Sequence, residues 1–135
     1  MWIPTLECIL DRHLAETIIE QSVEVITQDG ILFRQGQGGD CLYFVKWGEV
    51  ALTMLAGEKE IRIRAGKGSL LGLPAVFGNQ AYTMTAKASW DAEIFKLSSN
   101  AFTELLNKER RMKETVLQIL AGEVSAIRQA FSQLI

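Results

Sequence analysis

Apolar and polar positions follow two different periods along this chain, and the change of period divides it into three parts. Between residues 5 and 20, Leu6, Ile9, Leu10, Leu14, Ile18 and Ile19 recur at helical intervals, which predicts one or two short helices with Asp11 placed to cap a second helical turn. Beyond Ser22 the period falls to two. Val23, Val25 and Thr27 alternate with polar residues, Asp29-Gly30 signals a turn, and strands are predicted over 31–34, 42–46, 49–55, 60–64, 82–88 and 93–97. Glycine-bearing breaks at 36–39, 47–48, 56–57 and 78–79 separate them. Short strands at such near-regular spacing build a β-barrel or sandwich. The clearest alternation places Ile61 and Ile63 on an inward face and Arg62 and Arg64 on a solvated one.

From Ser98 the helical period returns. Ser98 or Ser99 caps a short helix carrying Phe102, Leu105 and Leu106, and the charged knuckle Lys108-Glu109-Arg110-Arg111 separates it from a longer helix beginning near Met112. Leu117, Leu120, Val124, Ile127, Phe131 and Leu134 lie at steps of three, four, three, four and three, the a/d seam of a coiled coil. Glu123 then takes a g position and Arg128 an e position, where they would meet across a parallel two-stranded coil. Val116 and Ile119 supply a second apolar flank that could face the β-core while the seam faces a partner. A homodimer through this helix is expected; the alternative is that the seam packs on the chain's own β-core.

Composition narrows the function. A chain of 135 residues with 48% apolar and 22% charged residues fits a single domain over 1–135, with a helical lead-in at 1–21, a β-roll at 22–97 and C-terminal helices at 98–135. Fourteen basic against 16 acidic residues, a net charge of −2, provide no positive field to concentrate phosphate, so the surface as a whole is not a nucleic-acid binder. Two cysteines, Cys8 and Cys41, are too few for a disulfide framework, a four-ligand zinc site or an iron–sulfur cluster. The N-terminus lacks a basic n-region, and the most apolar stretch, 69–78, is half the ~20 residues a membrane helix needs, so a cytoplasmic protein with no membrane partner is expected. The lone histidine, His13, falls in the lead-in helix, where it reads as exposed or capping. It offers neither a metal set nor a catalytic triad, so no enzyme, metal or cofactor is expected.

The run Gly39-Asp40-Cys41-Leu42-Tyr43-Phe44-Val45-Lys46-Trp47-Gly48-Glu49-Val50 closely resembles the signature of the cyclic-nucleotide-binding-domain superfamily, and 30–36 matches the strand that usually precedes it. Among subfamilies, the order of parts and the run GSLLGLPAVFG look most like effector domains of Crp/Fnr-type transcription regulators. The resemblance implies a mainly β double-stranded β-helix, an eight-stranded jelly roll, with an N-terminal helix and a long C-terminal dimerisation helix. It also implies a sensory and dimerisation role. A DNA-binding helix-turn-helix would begin after Ile135, and this segment itself would not bind DNA.

Members that bind nucleotide hold it in a cassette, here about 67–85, where a glutamate takes the ribose hydroxyl and an arginine pairs with the cyclic phosphate. Gly72 matches the family's glycine, but the glutamate position is Leu73, and the arginine position falls near Gln80, Ala81 or Tyr82. There is no arginine between Ala65 and Glu109 and no acidic residue between Ile61 and Trp90. Losing such a charged partner costs ~2–5 kcal/mol, about 30-fold to several thousand-fold in affinity. Leu70, Leu71, Gly72, Leu73, Pro74, Ala75, Gln80, Ala81, Tyr82 and Thr83 are therefore expected to form either a collapsed core or a pocket for a less polar effector. A regulatory domain that does not use these anchors is the leading reading. The alternatives are a degenerate protein-interaction module and a true cyclic-nucleotide-binding domain; an enzymatic cupin lacks its histidines.

Overall fold

The structure, a computed structural model, describes residues 3–6, 10–25 and 29–133. Cys8, Ile9, Thr27 and Leu134 lie outside the described residues. In the lead-in, residues Thr5–Leu6 form a two-residue strand (β1) and Arg12–Glu20 a helix (α1), so the predicted helical stretch is corrected to strand at Thr5 and Leu6. Asp11 caps α1 by accepting from the Leu14 amide at 2.8 Å, and only Leu14 and Ile18 of the helix are buried. The tertiary pairing of β1 with a later strand overrides the local helical pattern there.

The roll comprises β2 (Val23–Val25), β3 (Ile31–Phe33), β4 (Cys41–Trp47), β5 (Val50–Ala56), β6 (Lys59–Ala65), β7 (Leu70–Leu71), β8 (Thr85–Ala88) and β9 (Glu93–Ser98). One sheet has the order β1-β6-β5-β8-β3 and the other β2-β9-β4-β7. All pairs are antiparallel except β1 with β6. Register between β5 and β6 sets Leu52 opposite Ile63 and Val50 opposite Ala65, all four inward and buried. Arg62 and Arg64 stay outside, within 3.7 Å of Glu60 and 3.8 Å of Glu49 respectively. Such exposed pairs contribute little to stability.

The strand predicted from 82 begins only at Thr85. The backbone of Tyr82 is instead tied to the turn after β3, its carbonyl accepting from Gly36 and its amide donating to Gln37, each at 2.8 Å. A helix that the pattern did not predict, α2 (Leu73–Gly78), fills the cassette, with Pro74 in its first turn.

Ser98 caps α3 (Ser99–Lys108), and Glu109 joins it to α4 (Arg110–Ser132). The inward side of α4 runs through Met112, Val116, Glu123, Ala126 and Ala130. Met112 and Val116 join a cluster with Leu14, Ile18, Leu42, Leu97, Phe102 and Leu105, while Ala126 and Ala130 pack on the roll's own core. The long helix is thereby seated on both cores along its length, and the junction between them lies beside the cassette.

Candidate functional site: a filled roll and a charged cleft beside it

Gly72 begins the cassette in a left-handed conformation, φ 93°, and caps α2. Gly39 of the sequence signature stands where α2 comes closest: a Cβ there would lie 2.4 Å from the Cβ of Ala75 and 2.7 Å from the carbonyl of Gln80. The glycine of the Gly-Asp pair thus permits the cassette to close down on the roll.

Of the cassette residues singled out from sequence, Leu71, Gly72, Pro74, Ala75, Tyr82 and Thr83 line one cavity. Its volume is about 10 Å³. That is room for at most a single water, against the ~300 Å³ or more of an ordinary ligand pocket. The space is taken up by aromatic rings. Phe33 stacks on Tyr82 with centroids 4.0 Å apart, and Tyr43 meets Phe33 at 5.5 Å. The phenol of Tyr82 donates to the Cys41 carbonyl at 2.6 Å and accepts from the Cys41 amide at 3.2 Å, which pins the ring in place. Burial pushes the Tyr82 phenol above its ordinary value, and the Cys41 thiol likewise.

The remaining candidates do not join this cavity. Leu73, at the family's glutamate position, is wholly buried in the apolar cluster under α1 and α3. Leu70 lines a neighbouring cleft, and Gln80 and Ala81 are exposed and outside both linings.

The seam residues of α4 divide. Leu117, Val124 and Phe131 are exposed, at 63%, 56% and 38%, an uncovered apolar stripe on the outer side of the helix. Leu120 and Ile127 are only partly exposed and touch the two cores, and Arg128 is exposed beside the stripe. Glu123 departs from its expected place. It is 8% exposed and faces the roll, so it is not available to meet Arg128 of a partner. The physical reason is the helix period: Glu123 shares its stripe with Met112, Val116, Ala126 and Ala130, a set whose small alanines made it inconspicuous in the sequence.

Glu123 is the charged residue common to the small cavity and to a larger cleft of about 290 Å³ between α4, the turn before β7, and β1. Its carboxyl has no hydrogen-bond or ion-pair partner among the described residues, and burial alone pushes its pKa up from 4.5 to about 7. Ser69, 5% exposed in the wall of the same cleft, has a hydroxyl with no hydrogen-bond partner among the described residues. Sequence reasoning missed Phe33, Ser69 and this role of Glu123. Only the 3.6-residue stripe on α4 carried a signal for the last.

With the geometry in place, comparison with known proteins decides the family. The profile of the cyclic nucleotide-binding domain matches residues 23–109, more than half of the chain. The chain belongs to the cyclic nucleotide-binding domain family. The domain is 30% identical over 95 residues to the rat patatin-like phospholipase domain-containing protein 7, covering 69% of this chain but only 7% of that protein's length. Its fold matches the Thermus thermophilus catabolite activator protein with a TM-score of 0.66 at 24% identity, over 93% of this chain and 59% of that one. It also matches the c-di-GMP-responsive global regulator CLP of Xanthomonas campestris, with a TM-score of 0.72 at 18% identity, over 89% and 63% of the two chains. The expected fold, a rolled β-domain with a long C-terminal helix, is therefore the observed one. Among the described residues, no helix is long and apolar enough to cross a membrane.

Proposed function

We propose that this domain is the regulatory and dimerisation part of a Crp/Fnr-type transcription regulator, non-catalytic and cytoplasmic, whose roll does not take a cyclic nucleotide. The observation that carries this reading is the filled cavity of about 10 Å³ at the place where the family's ligand would sit, with an apolar lining whose one charged residue is the carboxyl of Glu123. A cyclic phosphate entering there would have to displace the Phe33–Tyr82 stack and approach a carboxylate with no arginine to offset it. Dimerisation is supported by the uncovered stripe Leu117, Val124 and Phe131, continuous with the half-covered Leu120 and Ile127. Regulation then consists of an effector or protein partner that binds one arrangement of α4 on the roll more tightly than another.

The filled roll equally supports a ligand-free interaction module that dimerises and docks on another protein. Both readings give the same answer to cyclic nucleotides, so melting the domain with cyclic AMP and cyclic GMP separates them from the nucleotide-binding alternative. The melting temperature is expected to stay unchanged; a rise of several degrees at about 100-fold excess over a micromolar Kd contradicts the reading.

A further inference from the structure

The cleft beside the roll has the composition of a site. Thr5, Ser69, Gln118, Ser125 and Gln129 offer hydroxyls and amides around one carboxyl, Glu123, and among the described residues no cationic side chain lines it. One of these polar groups, the Ser69 hydroxyl, is buried with no hydrogen-bond partner among the described residues, and Glu123, a residue only 8% exposed, has no partner among them either. A buried polar group without a partner costs stability, and a buried carboxylate costs most, so a ligand that supplies donors recovers that cost on binding. The helix contributes the space. Gln118, Gly122, Ser125 and Gln129 form a stripe on the flank of α4, and a Cβ at Gly122 would meet no atom within 4 Å. That stripe lies about 130° round the helix from the exposed apolar stripe, at 3.6 residues per turn, so a partner covering Leu117, Val124 and Phe131 leaves the cleft open.

We infer that this cleft binds a small organic cation, one bearing an ammonium or guanidinium group, with Glu123 as its charged partner and Ser69 and the α4 amides as supporting contacts. The volume of about 290 Å³ suits a molecule of metabolite size. Glu123 also lines the small cavity under the cassette, so an occupant of the cleft acts on the one charged group that the long helix presents to the cassette. The cleft is a space distinct from the roll interior, and the two linings have only Glu123 in common.

The binding carries a pH signature. Beyond α4, the described residues lining the two spaces that Glu123 borders are Thr5 and Leu6 of β1, Gly68 to Leu71 before and in β7, and Phe33, Leu52, Gly72, Pro74, Ala75 and Tyr82 to Met84 from the roll and cassette. Among these described residues only Tyr82 is titratable, and burial pushes it upward, away from neutrality. A cation therefore binds more tightly as pH rises and Glu123 gives up its proton.

Agmatine, which carries an ammonium and a guanidinium, is a suitable probe for titration into the whole chain, followed by amide chemical shifts. Shifts are expected at Ser69, Gly122 and Glu123, with affinity rising from pH 6 to pH 8 and falling about tenfold or more in Glu123→Gln. Gly122→Leu, which fills the cleft but keeps the carboxyl, is expected to weaken binding as well. Melting curves of both variants establish that they are folded. Shifts absent at millimolar agmatine, spread evenly over surface carboxylates, or unchanged in affinity in either variant overturn the site.

Discussion

Glu123 shows how one residue is read differently by spacing and by packing. Counted in heptads it belongs on the rim of a dimer seam; in the fold it is a buried acid whose carboxyl burial pushes up to about 7. A group with a raised pKa contributes stability below its unfolded value of 4.5, and that stability is lost as pH rises through about 7. The chain is therefore expected to lose about 3 kcal/mol between pH 4.5 and pH 8 from this residue. Glu123→Gln should remove that part of the pH dependence and be the more stable protein at pH 8. Urea denaturation of both proteins at the two pH values checks it; parallel curves would show that the carboxyl is solvated. Tyr82 makes a second prediction at this scale. Tyr82→Phe keeps the ring on Phe33 but strips the buried Cys41 amide and carbonyl of their partner, so a loss of about 1–3 kcal/mol is expected in the same measurement.

At the scale of elements, what the sequence made legible was whatever a local period could encode. The alternation at Ile61 and Ile63, the caps Asp11 and Ser98, and the exposed positions Leu117, Val124 and Phe131 all appear where the pattern put them. Where tertiary pairing competes with local pattern, the pattern lost. Thr5–Leu6 is strand because β6 offers an edge, 82–84 leave the strand because Tyr82 bonds the turn after β3, and α2 forms from a run too short and apolar to show a period. Cavity volume was equally illegible. The missing arginine and glutamate could be read from residue types, whereas the filling of the roll depends on how Phe33, Tyr43 and Tyr82 meet across strands. The fold also changes which seam substitutions are informative. Leu120 and Ile127 touch the cores, so aspartate there threatens folding, whereas Leu117→Asp with Val124→Asp alters only exposed side chains. That double variant is expected to sediment as a monomer with an unchanged melting curve at high dilution; a retained dimer places the interface elsewhere.

At the scale of the whole molecule, the long helix is the part that connects everything else. Its first turns sit on the cluster under α1 and α3, its last on the roll, its outer stripe is open for a partner, and its flank walls the cleft beside the cassette. A change at the cassette or the cleft is thus presented to the same helix whose outer face is available for pairing. The central claim is that this machinery is intact while the roll no longer receives the ligand for which the family is named. Equilibrium dialysis of the whole chain against labelled cyclic AMP tests it most directly. At about 100 µM ligand, well above the micromolar Kd of an ordinary regulatory site, the account predicts essentially no nucleotide retained per chain. Retention approaching one nucleotide per chain, competed by the unlabelled ligand, would contradict it.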